Sequence, residues 1–205
     1  SLAILSLLLI ACDATATFPL PESNTVMGTL LKRADQITKL RWTPLSQVPT
    51  QGGYFNQGRV VNGIPYSSVK EKEMFVGQYV SFYTFMTAVS NPKSVLYTEN
   101  VKEPPYHGTN CSTFYGTVCS MAVNYVLGLP YSYTTSTYKS LPCFEMVYPQ
   151  DIEYAQPGDI LLQDKKHVVM ILDIARTNDN VGIVYILESS GGNGTRVNTY
   201  TKQKL

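Results

Sequence analysis

The apolar positions of this chain change their period along its length. From Val26 to Trp42, Met27, Leu30, Leu31, Ala34, Ile37 and Leu40 recur three and four residues apart, the stripe of an amphipathic helix. Ala122, Val123, Val126 and Leu127 repeat that spacing, and Gly128 followed by Pro130 is a helix stop, which predicts a helix starting at Cys119. Glu71 to Val89 carries Phe75, Tyr79, Phe82, Tyr83 and Met86 at helical spacing before Asn91-Pro92, while Val80, Phe82, Thr84 and Met86 alternate as a strand would. Gln51 to Gly63, rich in Gly, Gln and Asn, reads as loop with a short hairpin. Downstream the period becomes that of strands. Pro157-Gly158-Asp159 is a turn feeding Ile160-Leu161-Leu162, His167 heads an apolar run to Ile174, and a second run from Val181 ends at Glu188. Arg176 to Asn180 is turn chemistry, so those two runs should form an antiparallel hairpin. Arg196 to Thr201 is a candidate last strand, and Pro130 to Gln156 reads as irregular. Helices followed by consecutive strands predict an α+β fold.

The N-terminus has its own pattern. Leu2 to Ala11 is a ten-residue apolar run, too short to span a bilayer and the right length for a signal-peptide core. It ends Leu9-Ile10-Ala11-Cys12, which resembles the bacterial lipobox, whose cysteine is acylated. The expected organisation is a lipoprotein-type signal over 1–12, a tether over 13–25 and one domain over 26–205, with Cys12 as membrane anchor. At 205 residues with 44% apolar and 15% charged positions, the chain suits one packed extracytoplasmic domain. A net charge of +1 argues against a nucleic-acid partner. Two distant histidines without a Cys-x-x-Cys pair exclude an ordinary zinc site, and no cofactor motif is present.

Candidate chemistry centres on Cys119. In the first turn of a helix, free backbone N–H groups and the helix dipole favour a thiolate, the nucleophilic form. The alternative is a buried cysteine acting as a small hydrophobe. If the hairpin loop centres on Thr177 and Asn178, paired residue numbers sum to 355 and His167 faces Glu188. Directly opposed Cβ atoms are about 5 Å apart, so the carboxylate could set the imidazole tautomer and orientation. Asn193, beyond Gly191-Gly192, is the alternative orienting residue. Cys111 near His107 is the rival nucleophile, but Gly116 leaves no room for a helix after it, and His107 sits in a Pro- and Gly-rich loop. Cys111 and Cys143 could pair in an oxidising compartment or stay reduced.

Helix-borne cysteine, then histidine, then a polar residue on successive strands is the papain-like order. The Cys119-Ser120 start and the Pro157-Gly158-Asp159-Ile160 strand ahead of His167-Val168-Val169 resemble the NlpC-type cell-wall peptidases and the related CHAP amidases. Gly63-Ile64-Pro65-Tyr66 is similar to the Gly-x-Pro-Tyr element that often precedes the nucleophile there. The resemblance spans roughly Val26 to Tyr200. It implies a nucleophile-bearing helix packed on an antiparallel sheet, with Cys119 as nucleophile, His167 as base, Glu188 as orienter and Tyr66 lining the site. It also implies no cofactor, and cleavage of amide bonds in peptidoglycan peptides through a thioester. A non-catalytic wall-binding module and an acyltransferase are the alternatives on the same frame. Three features depart from the pattern: Met121 replaces the usual glycine, Glu188 is closer to the CHAP residue, and fifty-two residues lie between Tyr66 and Cys119.

Overall fold

The structure is a computed structural model and describes residues 2–7, 25–50, 53–69, 74–99, 113–130, 132–147, 151–177 and 180–204. Its helices are α1 (Val26–Lys39), α2 (Phe82–Val89), α3 (Val95–Thr98) and α4 (Cys119–Leu127). Its strands are β1 (Leu2–Leu7), β2 (Arg41–Trp42), β3 (Val48–Thr50), β4 (Gly53–Phe55), β5 (Val61–Asn62), β6 (Phe144–Met146), β7 (Ile160–Gln163), β8 (His167–Thr177), β9 (Asn180–Ser190) and β10 (Gly194–Thr201). The fold is α+β, with a six-stranded sheet in the order β10-β9-β8-β7-β1-β6 and two short ribbons, β2-β5 and β3-β4. The chain groups into two compact units, each discontinuous. One holds Ser1–Ala34, Val123–Glu188 and Val197–Leu205, the other Asp35–Ala122 and Ser189–Arg196.

In the first unit the strands from β6 to β9 pair antiparallel. One sheet face carries Ile4, Leu161, Ile171, Val184 and Ile186, clustered with Ala155 and Val181 and flanked by Ile152 and Tyr200. The alternate residues Ile160, Leu162, Val168, Met170 and Leu187 are buried too. Burial on both faces is why these strands read as unbroken apolar runs rather than alternating ones. The turn into β7 is built as expected. Gly158 takes φ +100°, a conformation that glycine adopts without strain, and its N–H donates to the Ile171 carbonyl at 2.8 Å. Asp159 is buried and accepts from the Ser6 hydroxyl at 2.7 Å and the Gln156 N–H at 2.8 Å. Burial pushes its carboxyl pKa up and those two bonds oppose the shift. Asp159 is therefore a corner post of the sheet.

Leu2–Leu7, within the run read as a signal-peptide core, forms an inner strand between β7 and β6, with Ala3, Ile4 and Leu5 buried. A short apolar run satisfies both demands, and removal of residues 1–11 at a lipobox would take β1 from the sheet. Cys12 lies outside the described residues, as do Cys111 and His107. In the second unit, the helical reading of Glu71 to Val89 holds from Phe82, and the described residues before it, 74–81, form bridges and a turn. Gly77 takes φ +92°, and the Ser81 hydroxyl caps the new helix by accepting from the Thr84 N–H at 3.0 Å. Helix α1 stops at Lys39, because Arg41 and Trp42 pair with Asn62 and Val61. Leu31, assigned to its apolar face, is exposed. Trp42 is buried edge-on to Phe55 and Phe85, and its indole N–H donates to the Gly63 carbonyl at 2.9 Å.

Candidate active site

The β7–β8 turn sets His167. Lys165 adopts φ +58°, the Lys166 N–H donates to the Gln163 carbonyl at 2.9 Å, and Gln163 pairs with His167 as β8 begins. Glu188 comes from β9, and its Oε1 lies 3.1 Å from His167 Nε2. The register differs from the expected one. Thr177 pairs with Asn180 and Met170 with Leu187, so paired numbers sum to 357 at both ends of the hairpin, with bulges between. A shift of two keeps every side chain on its face. His167 and Glu188 thus meet as diagonal neighbours on one face rather than directly opposed. A diagonal separation of about 7 Å at Cβ is within reach of two long polar side chains.

Two residues that sequence reasoning missed complete the cluster. Glu188 Oε2 accepts from the Asn198 side-chain amide and from the Tyr200 hydroxyl at 3.0 Å. Both stand on β10, two residues apart and therefore on one face. That alternation was readable in the Arg196–Thr201 strand, but nothing local says which neighbour the face meets. The carboxylate is pulled down to about 2, first by the hydrogen bond from His167 and then by those from Asn198 and Tyr200, against the opposing effect of burial. It stays ionised across the physiological range and holds Nε2 of the ring. Asn193, the alternative orienter, is exposed in the turn before β10.

Cys119 opens α4, as the sequence predicts, and is a free thiol, 8% exposed. The Ala122 N–H donates to the Val118 carbonyl at 2.9 Å, closing the first turn. The lead-in is held by the Gly63-Ile64-Pro65-Tyr66 segment. Tyr66 bridges to Thr117, whose N–H donates to the Pro65 carbonyl at 2.9 Å, while the Ser67 N–H donates to the Thr117 carbonyl at 3.1 Å. On its other side the segment accepts from the Thr195 N–H at Ile64. The Ser189 hydroxyl also donates to the Thr117 carbonyl, at 3.2 Å, and Thr195 Oγ1 donates to Ser189 Oγ at 3.0 Å. The chain thus brings Tyr66 beside the cysteine lead-in across the long sequence gap. Cys119 and Tyr66 belong to the second unit, His167 and Glu188 to the first.

Gly116 makes that docking possible. A Cβ there would lie 2.5 Å from the Ser67 Cβ and 2.7 Å from the Pro65 carbonyl oxygen. Neither is a flexible side-chain end, so the two segments would have to separate. Gly116→Ala is expected to cost about 2 kcal/mol of stability, the usual range for an overpacked site, read as a lower denaturant midpoint at unchanged m-value. An unchanged midpoint would show that the lead-in does not depend on this contact.

No family model, curated protein or solved structure matches this chain. Among the described residues, no group of three or more His, Cys, Asp and Glu side chains could hold a metal ion. No described helix is long and apolar enough to cross a membrane.

Proposed function

We propose that this protein is a cysteine hydrolase of papain-like, NlpC/CHAP-type architecture that cleaves amide bonds in peptidoglycan stem peptides. The observation that carries the proposal is the His167–Glu188 pair at 3.1 Å, with the far carboxylate oxygen anchored by two further donors. A histidine whose Nε2 is held by an ionised carboxylate has its tautomer fixed, with Nδ1 as the atom that exchanges a proton. The second support is a thiol at the first position of a nine-residue helix, where backbone N–H groups are placed to hold an oxyanion.

In the proposed reaction Cys119 Sγ attacks the amide carbonyl carbon as His167 takes the thiol proton. The tetrahedral oxyanion collapses to a thioester, and the imidazolium gives its proton to the leaving amine. Water, deprotonated by His167, then hydrolyses the thioester and regenerates the thiol. Glu188 orients the ring and stabilises its cationic form. An extracytoplasmic location is proposed with it, since Cys143 is disulfide-bonded and such bonds persist in oxidising compartments.

A binding module on the same frame is the second reading. It is favoured by the burial of Cys119. Incubation with purified muropeptides, with a lipid amide offered in parallel, tests the proposal by mass spectrometry. Hydrolysis adds the mass of water across two fragments and exposes a new amino terminus. Transfer of the acyl group from the lipid amide to an amine of the muropeptide would replace the hydrolase by an acyltransferase. Unaltered muropeptides that nonetheless co-sediment with the protein would leave the binding module.

A further inference from the structure

Two buried hydroxyls from far along the chain converge on the segment that leads into α4. Ser189, near the end of β9, and Thr195, at the start of β10, are both buried and belong with Cys119 to the second unit. The Ser189 hydroxyl donates to the Thr117 carbonyl at 3.2 Å and accepts from the Thr195 hydroxyl at 3.0 Å. The Thr117 carbonyl also accepts from the Ser67 N–H at 3.1 Å, so both of its lone pairs are engaged. Gly63 lets the start of β10 come this close, because a Cβ there would overlap the Thr195 carbonyl oxygen.

Hydroxyls at these positions call for a reason, since alanine and valine would fill nearly the same space with no polar group to satisfy. Their bonds converge on one peptide. A peptide group is planar, so a carbonyl fixed at Thr117 also fixes the direction of the Val118 N–H. The Val118 carbonyl in turn accepts from the Ala122 N–H at 2.9 Å, which holds the plane that carries the Cys119 N–H. The two peptide planes ahead of Cys119 are thus fixed in succession, the first by the hydroxyls and Ser67, the second by the helix. The Thr117 side chain adds nothing to this anchoring: its own hydroxyl is buried and has no partner among the described residues. Strand alternation turns Ser189 to the face opposite its neighbour Glu188, so Ser189 does not act through that carboxylate.

We infer that Ser189 and Thr195 are positioning residues for Cys119, a two-hydroxyl relay that holds the Thr117–Val118 peptide and with it the start of α4. Its effect on turnover rests on the reading of Cys119 as nucleophile, whereas its effect on the lead-in does not. The Thr195 hydroxyl reaches Thr117 only through Ser189, so the two act in series.

The test compares the wild-type chain with Ser189→Ala, Thr195→Val and Thr195→Ser by amide hydrogen exchange and by muropeptide turnover. In Ser189→Ala, exchange at the Ser67 and Thr117 amides should quicken by at least about tenfold. The Ile171 amide, bonded to the Asp159 carbonyl, should keep its rate, as expected of a local rather than a global opening. Turnover should fall by about ten- to a hundredfold in kcat, the scale of a displaced reacting group. KM should not change, because neither hydroxyl is exposed to substrate. Thr195→Val keeps the shape without the hydroxyl and should show a smaller loss of the same kind, and Thr195→Ser, which keeps the hydroxyl, should restore kcat. The double variant of Ser189→Ala and Thr195→Val should be no slower than Ser189→Ala alone, since one link of a series is already broken. Unchanged exchange at Ser67 and Thr117, equal quickening at Ile171 in both single variants, or additive losses in the double variant would overturn the relay. So would wild-type kcat in Ser189→Ala. A wild type that leaves muropeptides intact, while Ser189→Ala still quickens exchange at those two amides, would overturn the hydrolase reading alone.

Discussion

Cys119→Ala is expected to lower muropeptide hydrolysis by at least about a thousandfold in kcat/KM, equivalent to about 4 kcal/mol of transition-state stabilisation. The substitution removes the atom that forms the thioester and leaves only the Cβ methyl, a loss of one heavy atom at a buried helix start. Stability should change little. Backbone N–H groups at the start of α4 remain, so any residual rate reports oxyanion stabilisation and binding without covalent catalysis, typically about 3 kcal/mol per donor. The same pair of proteins gives a chemical readout. Wild type should lose one free thiol to iodoacetamide near neutral pH as activity disappears, and His167→Ala should slow that labelling. A Cys119→Ala protein that still released new amino termini would remove the nucleophile from the proposal. Labelling at the same rate with and without His167 would mean that the imidazole does not activate the thiol.

The second large effect is expected at Glu188. Its two oxygens accept from three donors, His167 on one and Asn198 with Tyr200 on the other. Glutamine offers one oxygen and one NH2, so one set of donors must face another donor. It also removes the charge that stabilises the imidazolium. Hydrolysis by Glu188→Gln should fall by about 10²–10⁴-fold with the fold intact, in line with loss of the carboxylate from comparable triads. Glu188→Ala should be as poor or worse, since it leaves buried donors unsatisfied.

The pH dependence of stability follows from the same contact. The Glu188 pKa is pulled from 4.5 to about 2, chiefly by the His167 hydrogen bond. A carboxylate depressed in the folded state contributes stability that is fully present above pH 4.5 and is lost as pH falls toward 2. The linkage relation gives an upper bound of about 3 kcal/mol, reduced by solvent screening because the His167 side chain is 35% exposed. Thermal unfolding of wild type should therefore soften between pH 4.5 and 2 more than that of Glu188→Gln. Parallel curves for the two proteins would show that the pair adds nothing to stability. Wild-type turnover in Glu188→Gln would remove Glu188 from the orienting role.

The sequence alone determined what local chemistry controls. Helix α4 begins at Cys119 because the apolar spacing, with Gly128 and Pro130, defines both ends. The β8–β9 hairpin and the Gly158 turn were readable because turn residues and β-branched runs state their geometry within a few positions. The facing of His167 and Glu188 survived a register error of two because side chains in a strand repeat every second residue. Distant pairings were beyond the sequence. Only the tertiary structure put Asn198 and Tyr200 on Glu188 and set Tyr66 beside Thr117. It alone placed Leu2–Leu7 between β7 and β6, since an apolar run carries no mark of the strands it will pair with. Sheet order is a sum of weak contacts between segments far apart in the chain, and no residue announces its partner across that distance.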